Sequence, residues 1–583
     1  MSSKHLSNDP LALVRAALGS LTVVNPSVAF DSANKIVYLP EACSSDKVSV
    51  MSGGGSGHEP SFAGFVGGGM LSAAVAGSIF ASPSADQVFR CLMRLGSKTP
   101  KSGILIVLMN YTGDKLHFGM TMEKAKALGV DVDLVVVGDD VGVGRSRSGR
   151  IGRRGLAGTV LVQKLAGAYA AQGAKLAEVS TLASLVAANV ATVGASLSHV
   201  HVPGRAIDHD ELNGNDEIEI GMGIHNEEGF GRVQTDLPGL IKALLKQLLD
   251  ITDPDRSFIN VKSGDPIALM VNNLGGLSNL ELGAVTMEVF TQLSESYGIH
   301  PKRVLSGAYM TSLNGIGFSI TILKIVDDRF LGLLDATTEA VGWLPPAPAE
   351  NWMKTKAGAM KDANETTADI SSSSSNLRVN EEVAKKILDK ALRNIIESEP
   401  EVTKYDTLVG DGDCGLCLKT GAEAVLAHIQ SPEAVLGDAV QLVTNISHVV
   451  EKSMDGTSGA LYAIFLSALS RALQQADTDE AKETTPGVWA TALEITMQSL
   501  GKYTPARPGD RTVVDTLAPF VETFKSTGDL PEAVEAAKKG CESTKGMEAS
   551  LGRSVYVGGD EWKSCPDPGA FGLLRFFQGL IGE

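Results

Sequence analysis

Pro345 to Asn376 reads PPAPAENWMKTKAGAMKDANETTADISSSSSN. Proline and alanine give way to threonine and five successive serines, without apolar periodicity, so the stretch reads as an exposed interdomain linker. The chain differs in kind on its two sides. Before it, β-branched runs alternate with helical stretches, as at Val48 to Met51, Ile104 to Leu108, Leu134 to Val137 and Ile267 to Val271. Several of these runs end in glycine or asparagine loops, Gly53 to Gly57 and Asn272 to Gly276 among them. Such runs predict parallel strands buried on both faces, with ligands near their carboxyl ends. After the break, Val383, Ile387, Leu388, Ala391 and Leu392 mark an amphipathic helix, as do Leu461 to Leu473 and Val534 to Ala537. The expected organisation is an α/β domain over 1–344, a linker over 345–380 and an all-α domain over 381–583.

The length of 583 residues requires more than one domain, and a hydrophobic fraction of 43% supplies real cores. A net charge of −17 repels phosphate backbones and anionic membranes, which excludes nucleic acid as the main partner. Six scattered cysteines do not make a disulfide framework. No stretch reaches the ~18 apolar residues of a membrane span. The N-terminal segment carries charges and a proline where a signal peptide has an apolar run, so a cytoplasmic enzyme is expected.

Glycine is in excess, 63 residues against a usual ~7%. It is clustered, which points to binding loops lined by backbone. Ser52-Gly-Gly-Gly-Ser-Gly-His58-Glu59-Pro60 follows a strand and offers N–H donors with a histidine at the edge. A tight turn with an incidental histidine is the plain alternative, and the absence of Gly-Lys-Ser/Thr excludes a Walker A loop. Asn110-Tyr-Thr-Gly-Asp114 alone would be an Asx-type turn. Gly221-Met-Gly-Ile-His225 places a second histidine after a glycine pair. His58, Asp114 and His225 become a candidate site as a set, since neutral imidazole serves as nucleophile or base near pH 7. His199-Val-His201 has strand spacing that puts both rings on one face, yet no third metal ligand is evident nearby.

The strongest metal signal is Asp406-Thr-Leu-Val-Gly-Asp411-Gly-Asp413-Cys-Gly415. Three carboxylates this close repel one another unless a hard cation neutralises them. Gly410, Gly412 and Gly415 fit GxGxxG formally, but two aspartates would face the pyrophosphate and no strand precedes them. An EF-hand fails, because Leu416 and Ala422 stand where Gly and Glu are needed. Cys414-Gly-Leu-Cys417 lacks a second pair for zinc. A magnesium site completed by water and phosphate oxygens remains, against the alternative of a solvated acidic turn. Gly456-Thr-Ser-Gly459 opens an apolar helical run and so offers an anion site. Arg507 to Thr512 is a cationic segment able to brace phosphates. Together these point to phosphoryl transfer.

In order along the chain, SGGGSGHEP, NYTGD, GRRGLAGTV (152–160), GMGIH, VNNLGGLS, GDGDCG, GTSGALY, PGDRT and PDPGA (566–570) make it resemble the single-chain, ATP-dependent dihydroxyacetone kinases, also called triokinases. The resemblance covers nearly the whole chain. It implies a K-type substrate domain of two α/β lobes and an L-type nucleotide domain built as an eight-helix barrel. It implies that His225 adds through a ring nitrogen to the keto carbon of the substrate, forming a hemiaminal, with Asp114 and His58 in acid–base roles. Gly55, Ser56, Gly57 and Met109 would line the substrate. Many members have lysine where this chain has Met109, and a thioether donates no charged hydrogen bond.

The resemblance further implies magnesium on Asp406, Asp411 and Asp413. Asp413, Cys414, Gly415 and Leu416 would meet the nucleotide, with Thr457 and Ser458 on its phosphates. Thr504, Arg511, Thr512 and Val513 would contact it from one segment, and Asp567, Pro568 and Gly569 from another. The implied substrates are ATP and dihydroxyacetone, with D-glyceraldehyde as a second acceptor. The implied assembly is a homodimer in which the nucleotide domain of one chain serves the other. Two alternatives stand beside the kinase: an FAD-AMP lyase activity forming cyclic FMN, and a non-catalytic ketone-binding sensor. Intact metal carboxylates argue against the sensor.

Overall fold

Ile104–Met109 is buried at every residue, as a strand covered on both faces must be. It pairs in parallel with Ser49–Ser56 on one side and Val132–Val137 on the other. The sheet continues in parallel to Ala73–Ile79 and is finished by the antiparallel strands Ile36–Tyr38 and Ala29–Asp31. These elements belong to a computed structural model that describes residues 4–96, 102–205, 217–354, 374–477, 482–551 and 561–583. The chain divides into two units, Met1–Lys361 and Asp362–Glu583.

The first unit holds a second six-stranded sheet, ordered Arg303–Gly307, Ile267–Asn273, Gly317–Lys324, Val190–Ser196, Ile218–Ile220, Gly231–Val233. Within it only Ile267–Asn273 and Arg303–Gly307 run parallel, and they are joined through the helix Asn279–Tyr297. The other pairs are antiparallel. The parallel arrangement expected throughout therefore holds at the centre of the first sheet and fails in the second. A parallel neighbour needs a crossover, and the short return from Gly307 to Gly317 has no room for one. The helix Gly158–Ala171 is buried along nearly its whole length and packs against strands of both sheets. One apolar core thus joins the two lobes, taking Leu105 and Val107 from one sheet and Met270 and Leu323 from the other.

Gly53, Gly54 and Gly55 lie inside the strand Ser49–Ser56, not in a loop after it. A Cβ on Gly54 would stand 2.8 Å from the Phe62 ring, and one on Gly55 2.8 Å from the Ala81 nitrogen. Bare backbone is needed here so that neighbouring segments can close on the strand.

The second unit is built from the helices Glu381–Val409, Cys414–Gln430, Ala439–Ser453, Gly456–Ala476, Pro486–Leu500, Val514–Thr527, Leu530–Ser543 and Pro568–Ile581. Their starts are fixed locally. Asn380, Asp438, Asp529 and Asp567 each accept a hydrogen bond from a backbone N–H of the following first turn. Each helix packs on the next, and the last returns to the first, closing the ring expected of an eight-helix barrel. Of the linker expected over 345–380, residues 355–373 lie outside the described residues. Its two ends are structured: Ala349–Lys354 is helical, and Leu377–Arg378 pairs in parallel with Lys482–Glu483. Asp438 also holds the Ser375 amide and hydroxyl, each at 2.6 Å. Residues 374–380 thus belong to the helical unit.

Candidate active-site residues in the two units

In the first unit, the two expected histidines meet, and Asp114 lies near enough for the charge of His225 to act on it. The Nε2 atoms of His58 and His225 lie 3.0 Å apart, with the rings edge to face at 4.8 Å. His58 is only 1% exposed, stacks on Phe80, and its Nδ1 stands 2.8 Å from the carbonyl of Thr311. Burial, reinforced by the charge of His225, pulls its pKa down to about 3. The ring of His225 is walled edge to face by Tyr111 at 4.8 Å and Phe80 at 5.3 Å. Asp114 sits in the first turn of the helix Thr112–Ala127, where the helix dipole favours a carboxylate. Burial nevertheless raises its pKa, against a hydrogen bond from Ser82 and the charge of His225. Its Oδ1 is buried without a hydrogen-bond partner, as are the Tyr111 hydroxyl and Asn110 Oδ1.

Several supports of this site were not singled out by the sequence. Leu313 donates to the Gly57 carbonyl at 2.7 Å, and the Ser312 hydroxyl to that of Ile224 at 2.7 Å, so the segment 311–313 ties the His58 turn to the His225 turn. Asn272 in turn accepts from the amides of Tyr309 and Met310 at 2.8 and 2.9 Å. This gives the VNNLGGLS motif a bracing role rather than a direct one. Glu227 accepts from both the backbone amide and Nδ1 of His225, each at 2.9 Å. Of the residues expected to line the substrate, Met109 is 3% exposed within the apolar core, where its Cβ would lie 2.7 Å from a Cβ on Gly155. Gly57 takes a positive φ of 101°, and its amide donates to the Glu59 carboxylate. The strand spacing read at His199 and His201 is not realised: both follow the strand Val190–Ser196, His199 pairs with Glu219, and His201 meets His5.

In the second unit, Asp406 ends one helix and Asp413 begins the next, with Asp411 between them. Oxygens of all three lie within 4.8 Å of one another; Asp406 is buried, and Asp411 and Asp413 are exposed. Hard oxygen donors carrying three like charges at this range suit magnesium. Asp406 also accepts from the Cys414 amide at 3.0 Å, which fixes the turn. Gly412 takes φ +82°, a conformation open to glycine.

Thr457 and Ser458 stand in the first turn of Gly456–Ala476, and the Ser458 hydroxyl is 3.9 Å from Cys414 Sγ, so the two helix starts adjoin. They line a cavity of ≈ 1390 Å³ that all eight helices enclose. Asp406, Asp411, Asp413, Cys414 and Leu416 line it too, as do Thr504, Arg511, Thr512, Val513, Asp567, Pro568 and Gly569. Burial pushes the Asp567 pKa up to about 6, against its cap bond to Ala570 and the charge of Arg511.

Two of the expected nucleotide contacts also have structural partners of their own. Gly415 faces the preceding helix, where a Cβ would stand 2.7 Å from the Glu399 carbonyl, and it does not line the cavity. Its absent side chain lets two helices meet. The arginines of the cationic segment are engaged locally: Arg511 is 3% exposed and donates to the carbonyls of Trp562 and Cys565, and Arg507 donates to those of Thr504 and Ala506. They hold the loop together, as does Asp515, which accepts from the amides of Gly509 and Thr512 at 2.6 and 2.8 Å.

Comparison with known proteins places both units. Residues 19–342 match the Dak1 domain and 408–582 the DAK2 domain. A dihydroxyacetone kinase of Pichia angusta is 44% identical, over 100% of this chain and 98% of the relative. A protein of Rattus norvegicus named triokinase/FMN cyclase is 34% identical, over 100% and 99%. The crystal structure of the dihydroxyacetone kinase from C. freundii in complex with AMP-PNP and Mg2+ superposes with a TM-score of 0.62 at 28% identity, covering 99% of each chain.

Proposed function

Since the chain belongs to the dihydroxyacetone kinase family, with its Dak1 and DAK2 domains fused in one polypeptide, we propose that its two sites are the acceptor and donor halves of one kinase. It transfers the γ-phosphate of ATP to a hydroxyl of dihydroxyacetone, with magnesium as cofactor. The observation that carries the acceptor half is the 3.0 Å approach of two histidine Nε2 atoms inside the unit that also buries Asp114.

His225 supplies the nucleophile that holds the ketone as a hemiaminal. A carbonyl accepts that bond and glycerol cannot, so selectivity comes from chemistry where hydrogen bonds to a small, water-like ligand discriminate poorly. Asp114, its pKa raised by burial, is the base for the substrate hydroxyl. In the other unit, Asp406, Asp411 and Asp413 hold the metal, and the helix start at Thr457 and Ser458 faces phosphate. Magnesium, when bound, neutralises phosphate charge.

D-Glyceraldehyde serves as a second acceptor, and two copies of the chain work as a homodimer in which each nucleotide unit serves the other chain's ketone site. ADP release that depends on dihydroxyacetone and magnesium tests the kinase; no turnover with the ketone present sinks it. Mixing the inactive variants His225→Ala and Asp411→Asn tests the exchange between chains. Activity regained on mixing supports it, and a mixture as inactive as its parts rejects it. A second activity, cyclic FMN formation from FAD, is favoured by the name of the rat relative, triokinase/FMN cyclase.

A further inference from the structure

Hydrogen-bond bookkeeping at the two histidines leaves one proton to be placed. The Thr311 carbonyl only accepts, so His58 Nδ1, 2.8 Å away, carries a hydrogen. His58 Nε2 is then a lone pair, since burial holds this ring neutral. Two lone pairs cannot bond at 3.0 Å, so the hydrogen between the rings belongs to His225 Nε2. The other ring nitrogen of His225 faces Glu227 Oε1 at 2.9 Å, and a carboxylate also only accepts. Both nitrogens of His225 therefore carry hydrogen in the resting site, and the ring is an imidazolium set against a carboxylate.

Glu227 is itself held in place. Its Oε2 accepts the His225 amide, and Arg154 lies on the other side of Gly223, close enough that a Cβ there would stand 2.6 Å from its Nη1. Arg154 donates to the Gly221 carbonyl at 2.6 Å and to the buried Asp140 at 2.7 Å, which fixes the turn that carries His225. Burial would raise the Glu227 pKa, but the hydrogen bonds and charge of His225, with Arg154 behind, bring it to about 2.

We propose that Glu227 is a positioning residue that keeps the His225 ring aligned and balances its positive charge before and after ketone addition. The proton shared between the two Nε2 atoms passes through His58 to the carbonyl oxygen. The freed Nε2 lone pair forms the bond to carbon as the carbonyl π bond opens. The product carries a neutral hydroxyl and an imidazolium substituted at Nε2, whose Nδ1–H still faces Glu227. No charge is created or lost, and the carboxylate neutralises the ring at both ends of the step.

This inference rests on the hemiaminal reading of His225, and the test separates the two. Adduct occupancy is measured by intact-protein mass spectrometry across a dihydroxyacetone series, beside KM and kcat. Glu227→Gln keeps a hydrogen-bond acceptor and removes the charge, so occupancy at subsaturating ketone falls and KM rises about tenfold, while kcat stays within about threefold. Glu227→Asp, which restores the charge at shorter reach, recovers part of the affinity. If the wild type forms no adduct, the hemiaminal reading fails first. If it does, and both variants bind ketone as the wild type does, the role of Glu227 is overturned.

Discussion

The two candidate half-sites solve opposite problems. In the ketone half, His58 and Asp114 are nearly sealed, aromatic rings wall His225, and supports arrive from residues as distant in sequence as Thr311. In the nucleotide half, two of the three clustered carboxylates are exposed, and Thr457 and Ser458 at a helix start line the same cavity as all three. A covalent catch for a small ligand needs rigid alignment before the ligand arrives. A charged ligand that must exchange at each turnover needs accessible charge. Glycine divides along the same line: Gly54 lets Phe62 close over the ketone strand, whereas Gly415 lets two helices meet behind the metal turn.

The largest effect belongs to the covalent group. His225→Ala should abolish the dihydroxyacetone adduct and lower kcat/KM about 1,000-fold or more, while ATP binding measured by calorimetry is unchanged. An adduct that survives in this variant would assign the bond to another residue and remove the reason for so closed a site. Asp411→Asn should do the reverse. It leaves the adduct mass intact and lowers kcat/KM for magnesium ATP about 300-fold, because one of three neutralising charges is gone. Loss of the adduct in Asp411→Asn would show that the two halves are not chemically separable.

The same contrast explains what the sequence disclosed. The clustering of Asp406, Asp411 and Asp413 was legible because they are close in the chain, so their repulsion can be read without a fold. Ile104–Met109 was legible because burial on both faces writes an unbroken apolar run. Thr311 left no mark, since its contribution to His58 is a backbone carbonyl, which any residue could supply. Glu227 left a faint one, an acid two residues after a candidate histidine, but acids are common on turns. Arg507 and Arg511 were ambiguous, because a cationic loop reads alike whether its arginines face phosphate or, as these do in part, its own and neighbouring carbonyls. The strand directions of the second sheet were hidden as well, being set by connections rather than by composition.

A smaller effect separates the units by pH. Lys164 is fully buried in the helix shared by the two sheets, and its Nζ donates to the carbonyls of Leu333 and Ala336, each at 2.8 Å. A neutral amine has two hydrogens to give, which matches two acceptors, and burial lowers the pKa to about 8, against the charge of Asp335. Between that value and the ordinary 10.5, the unfolded chain binds a proton that the native state has released. Stability of the first unit therefore rises with pH across this window, by about 3 kcal/mol at most, and levels off above it. Urea unfolding followed by pulse proteolysis reads the two units separately. In Lys164→Met the first unit should lose stability at every pH, with two carbonyls left unpaired, and the rise should vanish. A first unit whose midpoint still climbs from pH 8 to 10 in that variant would place the titrating group elsewhere, and with it the reason the shared core tolerates an amine.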